Sequence, residues 1–326
     1  MSSGPLRQRA PLLDAYLAYF EQPRTPFTIP GHKQNASALD AGLGAVVDAD
    51  VPLYGGLDEI KLTRQTLSAA ERLAAQLWTA DYARFSTGGS THANQAIVLA
   101  LGQPGDKVAV ARTAHRSVLS ALVLAGLEPI WLTPEIDAAT GVPTGISVAE
   151  LQKALSEKPV AVLLTEPGYL GTLSDLPCLI AAAHAHDVPV VLDAAWGGHF
   201  GFHPLLPRHA LQLGADALVT SIHKALPGYS ASAILLARTA RLSRERMEQS
   251  FETTHTTSPA GAPLASIDGV RELMQCRGLD LIGCLLDNIE RFKARVQAHF
   301  ALPIFLNAAD FARDRFDPTK LVRPHP

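Results

Sequence analysis

Reactive side chains recur in this chain at one kind of place, beside short apolar runs that read as strands. Thr87-Gly-Gly-Ser-Thr-His-Ala-Asn94 precedes a helix-like stretch. Gly89 and its neighbour let the backbone approach a ligand closely, and Ser90 and Thr91 supply hydroxyls. A helix N-terminus adds unpaired N–H groups and a positive dipole end. That is phosphate-binding chemistry, without the Gly-Lys-Ser/Thr ending of a P-loop. Val190-Val-Leu-Asp-Ala-Ala-Trp196 closes an apolar run on a carboxylate. A buried Asp193 requires a partner, and a protonated ring nitrogen is a suitable one. Ser221-Ile-His-Lys224 sets Lys224 directly after another apolar run. Desolvation and nearby cations lower an amine's pKa there, as Schiff-base chemistry requires. His115, in Ala111-Arg-Thr-Ala-His-Arg-Ser117, offers an imidazole able to stack on a planar ring. Singly, each feature has an ordinary use: a capped turn, a cap carboxylate, a snorkelling lysine, a polar loop histidine.

The elements that must position these groups are legible from periodicity. Leu67, Ala70, Leu73, Ala74 and Leu77 repeat at helical spacing and predict an amphipathic helix. Strands are expected at 107–111, 129–132, 160–165, 189–193, 217–221 and 232–237, and helices near 91–101, 116–125, 147–156, 175–186 and 206–213. Alternating strands and helices mean a mostly parallel sheet covered on both faces, a three-layer α/β/α body. Ligands bind such a sheet at the carboxyl ends of its strands, where all four features fall. The interval from Asp193 to Lys224 is long enough for one crossover between neighbouring strands. A phosphate cup, a stacking His115, a carboxylate for a pyridinium and a Schiff-base lysine are what pyridoxal 5'-phosphate (PLP) requires of a protein. The organisation reads as an N-terminal arm over 1–60, a large domain over 61–245, and a helical return over 246–326. In that return, helices are expected at 263–276 and 279–299, and Asp317-Pro-Thr-Lys-Leu-Val starts something new.

Composition narrows the classes. The 326 residues are 47% apolar and 18% charged, so the chain can bury a core. A net charge of −3 gives no nucleic-acid footprint. No apolar run is long enough for a membrane span, and the start, Met1-Ser-Ser-Gly-Pro, lacks the apolar region of a signal peptide. Cys178, Cys276 and Cys284 are odd in number and lack metal-ligand spacing. They read as small buried hydrophobes of a reducing cytoplasm. His184-Ala-His-Asp187 and the His199/His203 pair read as ordinary polar positions, and no metal is expected.

The sequence resembles the Orn/Lys/Arg decarboxylases, large-domain part, within the PLP fold type I (aspartate-aminotransferase-like) superfamily. The carrying stretches are Pro30-Gly-His-Lys33, Gly56-Leu-Asp-Glu-Ile60, Ser86-Thr-Gly-Gly-Ser-Thr91, Ala114-His-Arg-Ser117, Thr165-Glu-Pro-Gly-Tyr-Leu-Gly171, Asp193-Ala-Ala-Trp-Gly-Gly-His-Phe200, Ser221-Ile-His-Lys224 and Thr256-Thr-Ser-Pro259. They run in family order over nearly the whole chain. The resemblance implies that Lys224 forms the Schiff base, Asp193 pairs with the pyridine nitrogen and His115 stacks on the ring. Ser90, Thr91 and the Gly89 backbone would hold the phosphate, joined by Ser221 and His223. Thr257 and Ser258 would reach the neighbouring subunit's cofactor in a homodimer, and His32 and Lys33 would sit near the site mouth. Trp196 stands where many family members carry His, so any acid–base role of that position is lost. The family chain continues past Asp317-Pro-Thr-Lys-Leu-Val into a small C-terminal domain, which is largely missing here.

The implied activity is decarboxylation of arginine, lysine or ornithine in polyamine metabolism, with Cα reprotonated by His223 or Lys224. The choice of decarboxylation over transamination or another lyase reaction rests on the resemblance, as does the basic substrate. A non-catalytic chain that binds PLP weakly is the reading from a different class. Asp58, Glu59 or Glu166 could pair with a cationic substrate side chain, or each could be structural.

Overall fold

Short runs of β-branched and leucine side chains, too apolar for any exposed face, set the centre of the molecule. Val162–Thr165 and Val190–Asp193 are examples. The computed structural model describes residues 10–21, 23, 25, 29–39, 41–53, 57–58, 65–300, 305–311 and 315–323. The remainder, including Met1-Ser-Ser-Gly-Pro, Gly56, Glu59 and Ile60, lies outside the described residues.

The strands are β1 (Tyr82–Ser86), β2 (Lys107–Ala111), β3 (Glu128–Leu132), β4 (Glu135–Ile136), β5 (Pro143–Gly145), β6 (Val162–Thr165), β7 (Val190–Asp193), β8 (Ala217–Ser221) and β9 (Ala233–Ala237). Seven form one sheet in the order β1-β9-β8-β7-β6-β2-β3, and β4 and β5 form a separate hairpin. β8, β7, β6, β2 and β3 pair in parallel, while β9 runs antiparallel to both β8 and β1. β1, β7, β8 and β9 are buried throughout, as strands covered on both faces must be. β3, at the edge, is mostly exposed.

The helices are α1 (Pro11–Phe20), α2 (Ala41–Val47), α3 (Thr66–Leu77), α4 (Gly89–Leu101), α5 (Arg116–Ala125), α6 (Val148–Leu155), α7 (Leu176–His184), α8 (Arg244–Thr254) and α9 (Gly261–Gln297). One apolar core holds residues of α3, α6, α7 and α9 against the sheet, with Leu12 of α1 and Val51, Leu53 and Leu57 of the preceding segment built into it. A second core holds α4, α5 and α8 against the opposite face. Each fully buried leucine or valine there is worth about 2 kcal/mol relative to exposure.

Three expectations need correction. The return is one continuous helix, α9, where a break near Gly278 was expected. Gly278 costs about 1 kcal/mol as a helix residue, but its missing Cβ lets Phe202 and Met274 close on the backbone, where an added Cβ would sit 3.4 and 3.2 Å from them. The stretch near 206–213 forms only a short 3-10 turn, Ala210–Leu213, ended by Gly214 at φ +107°. The three cysteines are exposed rather than buried, because Cys178, Cys276 and Cys284 fall on the outer faces of α7 and α9.

Candidate active site

β7 ends on Asp193, which is buried at 6% exposure. One carboxylate oxygen, Oδ1, accepts from the Ala195 amide at 3.1 Å, and Oδ2 accepts from Asn94 Nδ2 at 2.9 Å. Asn94 stands on α4, and its Nδ2 also donates to Ser117 Oγ at 3.1 Å. Ser117 Oγ in turn meets His115 Nδ1 at 2.8 Å. Asp193 and His115, from two different strand ends, are thus joined through Asn94 and Ser117. Burial raises the Asp193 carboxyl above its usual range; the Ala195 and Asn94 bonds and the charges of Lys224 and His115 oppose it.

The cup forms where β1 gives way to α4. The helix starts at Gly89, two residues before the sequence expectation, so Ser90 and Thr91 sit in its first turn. Gly89 adopts φ +70°, open to glycine at little cost. A Cβ on Gly88 would sit 2.7 Å from His92 Cβ. Ser90 Oγ lies 2.9 Å from Ser221 Oγ at the end of β8, so the two hydroxyls meet across the intervening β9. Thr91 is exposed.

Lys224 is half-buried just beyond β8, and its Nζ lies 4.8 Å from the centre of the Trp196 ring. Burial lowers its amine and the Asp193 charge raises it, with lowering the net result. His223 Nδ1 donates to the Ser232 carbonyl at 2.9 Å, since a carbonyl can only accept. The outer nitrogen, Nε2, is therefore an acceptor in the neutral ring and a donor only in the imidazolium.

Other expected residues have different surroundings. Thr257 and Ser258 are exposed in the loop between α8 and α9, where the Ser258 amide donates to Thr256 Oγ1. That loop is tied to the cup through His255 Nε2, 3.3 Å from Thr87 Oγ1. His32 meets Asp50 at 3.2 Å. Asp58 accepts from the Leu67 amide at 2.7 Å and so caps α3. Glu166 is buried and accepts from the Ser174 amide on both oxygens, at 3.0 and 2.9 Å. Among the described residues no group of three or more histidine, cysteine or acidic side chains could hold a metal.

Sequence reasoning missed Asn94, Ser117 and Lys320. Asn94 follows Ser90 by four residues, so its position on the same helical face was available; its partners were not. Lys320 lies 4.0 Å from the Trp196 ring centre.

The donor set suits PLP. Hydroxyls and first-turn amides match its phosphate, a buried carboxylate its ring nitrogen and an amine its aldehyde. A mostly parallel sheet covered on both faces, with an amine just beyond one strand end, a carboxylate at the next and a hydroxyl-bearing helix start, is a three-layer α/β/α domain with its polar groups gathered at the carboxyl ends of its strands. The chain matches the family model described as Orn/Lys/Arg decarboxylase, major domain, over residues 10–314, and it belongs to that family. It is 32% identical over 324 residues to the arginine decarboxylase of Halalkalibacterium halodurans, covering 97% of this chain and 66% of that protein. It is 33% identical over 282 residues to the arginine decarboxylase of Bacillus subtilis, covering 84% and 57%. The lysine decarboxylase of Francisella novicida shares the fold at a TM-score of 0.77 and 20% identity, with 94% of this chain and 47% of that one covered. The chain thus spans about half to two thirds of these relatives' lengths.

Proposed function

We propose that this chain is the cofactor-binding major domain of a PLP-dependent decarboxylase that converts a basic L-amino acid (arginine, lysine or ornithine) to its amine and CO2. The observation that carries the reading is the placement of Asp193 at the end of β7 and of Lys224 just beyond the neighbouring parallel strand β8, beside the Ser90–Ser221 contact. The names of the arginine and lysine decarboxylases it resembles support the reaction and the basic substrate.

Bound PLP would supply an electron sink for the pair of electrons left at Cα when CO2 departs. Asp193 would hold a proton on the ring nitrogen, and Asn94 and Ala195 keep its carboxylate aimed. Ser90, Thr91, Ser221 and the Gly89 amide would fix the phosphate, and His115 would cover the ring. Lys224 would anchor the cofactor and give up that place to the substrate amine. The lowered affinity of its amine for a proton favours the nucleophilic form. His223 would act from Nε2, as imidazolium, to hold phosphate or to return a proton to Cα.

The reading extends to a cytoplasmic homodimer in which Thr257 and Ser258 reach the partner's cofactor. Exposed cysteines suit a reducing compartment. Among the described residues no helix is long and apolar enough to cross a membrane.

The test adds PLP to the purified chain and reads visible absorbance. A band that borohydride abolishes, lost in Lys224→Ala, is expected, together with release of CO2 and amine from arginine, lysine or ornithine. Asp193→Asn is expected to bind PLP and lose at least a hundredfold in turnover, because a neutral amide cannot hold the ring proton. A keto acid product would instead identify an aminotransferase. Full turnover by Asp193→Asn would refute the role of that carboxylate.

A further inference from the structure

The tail motif Asp317-Pro-Thr-Lys320 has no part in the mechanism above, yet it is built into the site wall. Its backbone pairs with the loop after β6: the Asp317 amide donates to the Gly171 carbonyl at 2.7 Å, and the Leu173 amide to the Arg315 carbonyl at 3.0 Å. Thr172 and Phe316 form an isolated antiparallel bridge. Asp317 is fully buried and meets His199 Nε2 at 3.3 Å, while Thr319 Oγ1 donates to Asp317 Oδ1 at 2.8 Å. Burial opposes ionisation of Asp317, but the His199 bond and charge and the Thr319 bonds outweigh it and hold the carboxyl below its usual range. His199 comes from the loop that follows Asp193, so the tail is pinned to the segment carrying the ring-nitrogen carboxylate.

This anchor aims Lys320. The side-chain stem passes over Gly171, at φ +96°, where a Cβ would come within 2.7 Å of Lys320 Cγ. The ammonium stands 4.0 Å from the centre of the Trp196 ring, and Lys224 stands 4.8 Å from the same ring. Tyr169 packs edge-on against Trp196 at 5.6 Å and fixes the platform. Two half-buried amines therefore share one aromatic ring. Burial lowers the Lys320 amine, Asp317 raises it, and the Lys224 charge lowers it again. Asp317 spends Oδ1 on His199 and Thr319, and its buried Oδ2 has no hydrogen-bond partner among the described residues.

We infer that Lys320 binds the α-carboxylate of the amino-acid substrate, with Trp196 as the ring that both amines contact. The inference rests on the functional reading above and assigns the part of the site that recognises an acid. Half-desolvated cations that lower each other's proton affinity favour an anion beside them. A substrate amine that takes the place of Lys224 carries its carboxylate two bonds away, while Lys320 stays behind as the fixed cation. The decarboxylated amine has no group for Lys320, so the residue discriminates substrate from product.

The PLP-loaded chain is titrated with L-arginine and L-lysine, and separately with their decarboxylated amines, reading the change in visible absorbance rather than turnover. Lys320→Met keeps the stem over Gly171 and removes the charge. It is expected to weaken the amino acids on the order of tenfold to a hundredfold, as loss of a charge-assisted hydrogen bond does, and to leave the amines within about twofold. Lys320→Arg is expected to restore most of the amino-acid affinity. Equal weakening of amino acids and amines, or weakened PLP binding, would overturn the inference and place the cation on the cofactor phosphate or in the fold. A wild-type chain with no cofactor band would defeat the functional reading instead. The inference then stands or falls on the cofactor-free chain, through acetic anhydride labelling of Lys320 read by mass spectrometry. Protection by L-arginine and not by its amine supports it; equal protection, or none, overturns it.

Discussion

At the scale of single residues, the molecule keeps carboxylates where water does not reach them. Glu166 shows the consequence most simply. Burial pushes its carboxyl up to about 7, against the opposing Ser174 bonds and the Arg315 charge. In the unfolded chain the same group ionises near its usual 4.5. The folded state thus holds the extra proton between these values, and stability falls as pH rises from 4.5 to 7. Glu166→Gln keeps an acceptor for the Ser174 amide and removes the ionisation. The variant is expected to melt with the wild type at pH about 4 and to be the more stable at pH about 8, by at most about 3 kcal/mol. Thermal unfolding at the two pH values checks this, and parallel behaviour at both would show that Glu166 does not titrate. Asp193, Lys224 and His115 stand out as candidates by residue type and place after a strand, and Ser90 by its glycines ahead of a helix. Asn94 and Ser117 could not, since an amide and a hydroxyl are ordinary helix residues until their partners are known. Lys320 belonged to a motif with no visible destination, because only folding brings it to Trp196.

At the scale of elements, the parallel strands were legible because β-branched runs covered on both faces have no polar alternation to obscure them. β1 was not, since Tyr82–Ser86 contains Arg84. Its guanidinium is buried against Glu71, Glu248 and Glu252, and that charge interrupts the apolar run. The α9 break was misplaced because a single glycine looks like a helix end until its close neighbour, Phe202, is seen. Another long-range device is equally invisible in sequence. α1 has no side-chain cap at Ala10; instead Asp268 of α9 accepts from the Leu12 amide at 2.8 Å. The same carboxylate pairs with Arg271 at 2.7 Å, both side chains fully buried. Asp268→Leu would strip the start of α1 and leave a buried guanidinium with its carboxylate partner removed. A loss of about 3–5 kcal/mol is expected in denaturant unfolding, with Asp268→Asn losing less. A change below about 1 kcal/mol would mean that α1 is held by its apolar face alone.

At the scale of the whole molecule, Leu12, Tyr19, Val51, Leu53 and Leu57 share a core with the sheet and α9, so these parts of the 1–60 stretch pack into the body. Association is where the functional reading reaches outside the chain. If Thr257 and Ser258 complete a partner's site, light scattering is expected to give twice the 34.7 kDa chain mass. Dilution to monomer is then expected to release PLP. A monomer that keeps its cofactor at full affinity would exclude the pair from the site. The sheet order carries one more consequence. β1, formed first in sequence, borders only β9, the last strand, and Ser90 meets Ser221 across it. During synthesis the ribosome must therefore release residues beyond Ala237 before Ser90 and Ser221 can face each other as they do here. A nascent chain halted earlier carries Ser90 and the β1 strand with no edge to receive them, so on the proposed function the vitamin would be loaded late.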